Sequence, residues 1–204
     1  MNARPPALTC LFFNELTLPV FLNSPAGRPL AGDLLVECGL RPALSFVLNV
    51  ETPANYPGIA GLLGGVDVGS LAHPTPRLPA PIVLAPGTAV AATAARSALG
   101  LLARPDERLT AVTLLVPMHE ARGFGAALAA ASRHAIAWDA AACPHEELAE
   151  FTRWLAAEKL LTAENFAGLF PYATAPLETA HRLRLATELK SLGAEIAVLT
   201  DATP

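Results

Sequence analysis

The chain reads as an α/β protein, a three-layer sandwich with a mainly parallel, Rossmann-like sheet. Three observations in its 204 residues lead there. Short continuous apolar runs, such as Ile82–Ala85 and Leu109–Val116, have the length of strands buried on both faces. Segments with helical spacing lie between them, and that alternation is the pattern of βαβ units. Hydrophobic residues make up 52 % of the chain and charged residues only 16 %. An ordinary soluble domain carries ~25 % charged residues, so this chain has apolar side chains to spare for a doubly covered sheet.

Taken in order, Leu8–Phe13 and Leu16–Leu22 read as strands, the second an edge or broken one because Pro19 cannot donate to a ladder. Asn23–Pro29 is a loop. Leu30–Cys38 reads as a short helix stopped by Gly39, followed by a strand over Ala43–Val50. Residues Glu51–Ala80 are Pro- and Gly-rich and irregular, with at most one short helix near Ile59–Leu63. The pattern then regularises: strand Ile82–Ala85, alanine-rich helix Ala89–Ala103, a turn at Arg104–Arg108 and strand Leu109–Val116. A helix over Glu120–His134 carries Ala121, Phe124, Leu128 and Ala131 on one face, and Ala135–Trp138 is a further strand. Pro144 fits the first position of a helix whose stripe is Leu148, Phe151 and Leu155. Leu161–Phe170 is a short helix capped by Thr162, and Pro176–Leu192 a longer one stopped by Gly193. Glu195–Thr200 is the last strand. The division this suggests is an irregular, strand-containing part over 1–80 and an α/β core over 81–204, joined as one continuous domain.

Composition excludes several classes of function. A net charge of −4 without Lys/Arg clusters argues against nucleic acid as the main partner. The longest charge-free run, Leu78–Ala95, contains Pro79, Pro81 and Pro86 and is mostly small residues, which argues against a membrane span. Glu15 interrupts the apolar run after Arg4, so no secretory signal is expected. Cys10, Cys38 and Cys143 are odd in number and widely spaced, as in reduced thiols of a cytoplasmic protein. So charge-poor a chain leaves apolar surface to cover, and a homo-oligomer is expected.

The junction Pro86-Gly87-Thr88-Ala89 is the main candidate site. In a doubly wound sheet such a turn joins a strand's carboxyl end to a helix amino end, where free N–H groups and the helix dipole attract phosphate. A plain βα turn is the alternative reading of the same residues. His119-Glu120 and Cys143-x-His145-Glu146 contain metal-ligand types but match no closed zinc spacing, so no metal is expected. His134 is expected to interact with the carboxyl end of the helix before it, and Trp138 and Trp154 to be core or interface anchors. No Walker loop, nucleophile elbow or full dinucleotide fingerprint is present.

The stretch "LAPGTAVAATAARSALGLL", the strand "LTAVTLLV" and then "PMHE" resemble the flavin mononucleotide-binding flavoproteins typified by phosphopantothenoylcysteine decarboxylase. The resemblance spans roughly His73–Trp138, about a third of the chain. Val90 stands where that family has the asparagine of its first motif, and Pro117-Met118-His119 lacks the asparagine of its second. The resemblance implies FMN as cofactor, with Pro86, Gly87, Thr88 and Ala89 at its phosphate and Met118 beside the ring. It implies His73 and His119 as catalytic candidates in a decarboxylase- or oxidoreductase-like reaction on a small-molecule ligand. The alternative is a non-catalytic assembly or regulatory subunit that binds a protein partner on the same fold.

Overall fold

A computed structural model describes residues 7–14, 17–25, 27–38, 56–74, 78–80, 82–83, 100–101, 110–129, 131–139, 141, 144–162 and 164–172. The strands are β1 (Ala7–Phe13), β2 (Asp33–Glu37), β3 (Ile82–Val83), β4 (Ala111–Pro117), β5 (Arg133–Asp139) and β6 (Phe166–Tyr172). The helices are α1 (Thr17–Asn23), α2 (Val68–Leu71), α3 (Ala121–Leu128) and α4 (His145–Ala157), with 3-10 turns at Gly58–Leu62 and Met118–Glu120. Among the described residues the six strands form one sheet in the order β3-β2-β4-β1-β5-β6, and every neighbouring pair is parallel. The expected α/β, Rossmann-like architecture is present, and β1 lies inside the sheet between β4 and β5.

Strand alternation divides the core in two. Cys10, Phe12, Leu34, Val36, Leu114, Val116, Ile136 and Trp138 face one layer, packed by Phe124 and Leu128 of α3 and by Leu148, Phe151 and Leu155 of α4. Leu11, Phe13, Leu35, Leu115, Ala135 and Ala137 face the other, packed by Leu18, Phe21 and Leu22 of α1. These runs are apolar at consecutive positions because each strand is covered on both sides.

Several local expectations differ from the structure. The segment expected as strand Leu16–Leu22 is α1. Its buried residues Thr17, Leu18, Phe21 and Leu22 have helical spacing, and Pro19 sits in the first turn, where its missing N–H is not needed. The segment expected as a helix over Leu30–Cys38 is β2. Its Leu34, Leu35 and Val36 are all buried, which a strand between two layers achieves and a surface helix does not. The helix expected over Glu120–His134 ends at Leu128, and His134 belongs to β5.

The short helix expected over Leu161–Phe170 is a single turn leading into β6. Thr162 Oγ1 accepts from the Asn165 N–H (3.3 Å), Asn165 Oδ1 accepts from the Thr162 N–H (2.7 Å), and the Phe166 N–H donates to Thr162 O (3.0 Å). The helix-start signature is real, but the chain after it pairs with β5. Residues 56–74 hold a 3-10 turn and α2 rather than one helix, and Pro144 precedes α4 as its N-cap. The elements expected over Ala43–Val50, Pro176–Leu192 and Glu195–Thr200 lie outside the described residues. Of the helix expected over Ala89–Ala103, only Gly100 and Leu101 are described, both helical.

Candidate functional site

Open parallel sheets bind ligands outside the carboxyl ends of their strands, where the strand order reverses. Here the reversal flanks β1: β4 lies on one side of it and β5, the next strand in the chain, on the other. Phe13 stands level with Pro117 of β4 and Ala137 of β5, so these three strand ends frame the crevice.

The corner from β1 into α1 is closed by its own hydrogen bonds. Thr17 is fully buried; its N–H donates to Asn14 O (2.9 Å), and its hydroxyl lies within reach of Asn14 O (2.8 Å) and Ala137 O (3.1 Å). The Asn14 N–H donates to Ala137 O (3.4 Å), and Asn14 Oδ1 accepts from the Asp139 N–H (3.0 Å). Asp139, fully buried at the end of β5, accepts from the Ala141 N–H through Oδ1 (2.9 Å). The polar groups that would face a ligand here bind one another.

Of the residues singled out from sequence, His73, Met118 and His119 are among the described ones. Pro86, Gly87, Thr88 and Ala89 lie outside the described residues. Met118 is buried in the α3/α4 core layer at the end of β4, and His119 beside it is exposed, with Nε2 3.4 Å from Glu120 Oε1. His73 is half-buried and packs edge-on against Tyr56 (4.9 Å between ring centroids). Among the described residues no hydrogen bond or ring contact joins His73 to His119. No group of three or more His, Cys, Asp or Glu among the described residues is placed to hold a metal.

Other titratable groups sit in the core. Burial pushes the Cys38 thiol up to about 12, with Glu37 adding to it; burial also holds Cys10 well above the usual thiol range, with Cys38 contributing. Both cysteines are unpaired and inert as nucleophiles. His134 stacks on Phe12 with its ring almost wholly buried, and burial lowers its pKa below the usual 6.5. The Leu128 carbonyl at the carboxyl end of α3 offsets that shift in part, although it falls short of hydrogen-bond geometry.

No family model and no curated sequence matches the chain. Solved structures do match it in fold. The MinD cell division protein of Aquifex aeolicus is 14 % identical with a TM-score of 0.62, covering 93 % of this chain and 80 % of that one. A single-substitution variant of McdA from Cyanothece, solved as its ATP complex, is 13 % identical with a TM-score of 0.63, covering 94 % and 82 %. Cobyrinic acid a,c-diamide synthase of Mycobacterium smegmatis, solved with an ATP analogue and magnesium, is 18 % identical with a TM-score of 0.63, covering 97 % and 87 %.

These neighbours are ParA/MinD-type P-loop ATPases, and they overturn the flavoprotein reading. FMN, the decarboxylase or oxidoreductase activity and the flavoprotein family are not supported, and the partner-binding alternative gains no specific support. An apolar strand, a small-residue turn and an alanine-rich helix suit any nucleotide-binding βαβ unit, so those motifs do not distinguish flavin from ATP. The roles given to His73, Met118 and His119 presuppose a flavin.

The fold family implies ATP and magnesium, and the residues after β1 do not fit them. A phosphate loop of the form GxxxxGK[ST] wraps backbone N–H groups around phosphate and brings a lysine to it. Here only Asn14, Glu15 and Leu16 separate β1 from α1, with no glycine or lysine among them. The Thr17 N–H is taken by Asn14 O, and Pro19 has no N–H to offer. The chain's two lysines, Lys159 and Lys190, lie far along the sequence. The fold is that of the nucleotide-binding neighbours, and its phosphate corner is closed.

Proposed function

We propose that this chain works on the ParA/MinD-type fold without holding ATP at the β1–α1 corner and without hydrolysing it. One observation carries the reading: the corner is three residues long and sealed by Asn14 and Thr17 onto β5. Phosphoryl-transfer catalysis is almost entirely positioning and charge stabilisation of the phosphates. A corner with no lysine and no glycine-rich cradle supplies neither.

Calorimetric titration with MgATP, paired with a phosphate-release assay, tests this. The expected result is no saturable heat and no release above buffer. Saturable micromolar binding, or steady phosphate release by the purified chain, overturns the reading.

A second copy of the chain is part of the proposal. With charged residues at 16 % and Leu30, Leu63 and Val66 exposed, self-association is the economical way to cover apolar surface. Light scattering that finds only 21.2 kDa particles at micromolar concentration removes that part. No helix among the described residues is long and apolar enough to cross a membrane.

A further inference from the structure

The opposite end of the sheet is built differently. Towards the amino ends of the strands, on the face that α1 covers, a cavity of about 240 Å³ opens. Its floor includes Leu11, Leu35 and Ala135, and Phe21 of α1 and Phe170 of β6 form walls. Across this floor runs one register row of the sheet: Leu35 beside Thr113, Thr113 beside Thr9, and Thr9 beside Arg133. All four line the cavity, and Arg28 joins them from the loop after α1.

Two features set this row apart from an ordinary strand end. The neighbouring row on the same face, Leu115, Leu11 and Ala135, is buried and apolar, so the paired threonines interrupt a hydrophobic surface. In addition, among the described residues none of these threonine and arginine side chains is committed elsewhere. Among the described residues the hydroxyls of Thr9 and Thr113 make no hydrogen bond, and neither Arg28 nor Arg133 has an ion pair. Asp33, the one carboxylate among the residues lining the cavity, already accepts the Leu30 N–H through Oδ2 (2.7 Å).

From this geometry we propose that the cavity is a binding site for a small monocarboxylate with an apolar body. Guanidinium forks match a carboxylate in a bidentate way, threonine hydroxyls add donors, and the leucine floor receives the hydrocarbon. Arg28 and Arg133 against Asp33 leave one net positive charge in the lining, which a single carboxylate balances and a phosphate dianion exceeds. Ordinary ligand pockets run from ~300 Å³ upward, so the ligand is small. The site lies away from the β1–α1 corner and is independent of how ATP is treated there.

The test uses benzoate as probe, with benzyl alcohol as its neutral counterpart and phenyl phosphate as the dianion, each titrated by NMR against the full chain. Benzoate is expected to bind at least about tenfold more tightly than benzyl alcohol, the gain of one charge-assisted contact. It is also expected to bind more tightly than phenyl phosphate. Arg133→Ala, at an exposed position, is expected to lower benzoate affinity by about tenfold without shifting the melting temperature. Thr9→Val should weaken it less, and Arg122→Ala, on the far side of the sheet, should leave it unchanged. Equal binding of benzoate and benzyl alcohol overturns the proposal, as does no benzoate binding at millimolar concentration or an unaffected Arg133→Ala. Tighter binding of phenyl phosphate overturns the carboxylate assignment.

Discussion

Replacing Thr17 by valine separates a structural corner from a ligand-binding one. The substitution keeps the β-branched shape and removes only the hydroxyl. That hydroxyl faces two carbonyl oxygens, Asn14 O at 2.8 Å and Ala137 O at 3.1 Å, and its one proton serves one of them at a time. Neither oxygen is orphaned by the change, because Asn14 O still accepts the Thr17 N–H and Ala137 O still accepts the Asn14 N–H. The loss is therefore one net hydrogen bond, about 1 kcal/mol, and not the larger cost of a stranded buried group. For a chain of this size that is a fall of roughly 2–4 °C in Tm. Thermal melts of wild type and Thr17→Val, each with and without MgATP, read the outcome. The expected result is the same small drop in both conditions. A variant that melts like wild type but loses an MgATP stabilisation seen in wild type refutes the reasoning, because the hydroxyl would then serve a ligand.

Three further outcomes concern the core and its glycines. His134 is held neutral, with its pKa below the usual 6.5, so below that pH the unfolded chain takes up a proton that the folded chain resists. Its contribution to stability is intact above pH 6.5 and declines as pH falls; His134→Leu should flatten that slope between about pH 7 and pH 5, and an unchanged slope contradicts the assignment. Gly123, exposed in α3 with nothing within 4 Å of an added Cβ, should gain about 0.5–1 kcal/mol on mutation to alanine. Gly168→Ala should instead lose about 1 kcal/mol or more, because Gly168 has φ +148° and its new Cβ would stand 3.0 Å from the Phe170 ring; denaturant melts should give opposite signs. Finally, alkylation of the native chain at mildly alkaline pH should spare Cys10 and Cys38, whereas the denatured, unreduced chain should expose all three thiols.

The fold class is legible because double burial writes a continuous apolar run, and β4 carries it most clearly. The differences have physical sources. Pro19 reads as a strand breaker, although the spacing of Leu18, Phe21 and Leu22 already points to a helix that tolerates proline in its first turn. Leu34–Val36 is too short for periodicity to separate a buried strand from a helix. The Thr162/Asn165 exchange is a true helix-start device that closes one turn, and only the pairing of Phe166–Tyr172 with β5 makes the next element a strand. The missing Walker loop is visible in the sequence, but its meaning is not. Only the sheet order shows that β1 is the strand after which the fold's phosphate loop belongs.

Polar groups left without partners cost stability, so a fold retains them where something else uses them. By that criterion the two ends of this sheet differ. At the carboxyl end, where the fold's nucleotide site would lie, Asn14, Thr17 and Asp139 satisfy one another and the backbone rather than waiting for a ligand. At the amino end, Thr9 and Thr113 interrupt an apolar face beside Arg28 and Arg133, and none of the four side chains is engaged among the described residues. The two adjacent hydroxyls at the amino end are the feature that the proposed carboxylate site uses.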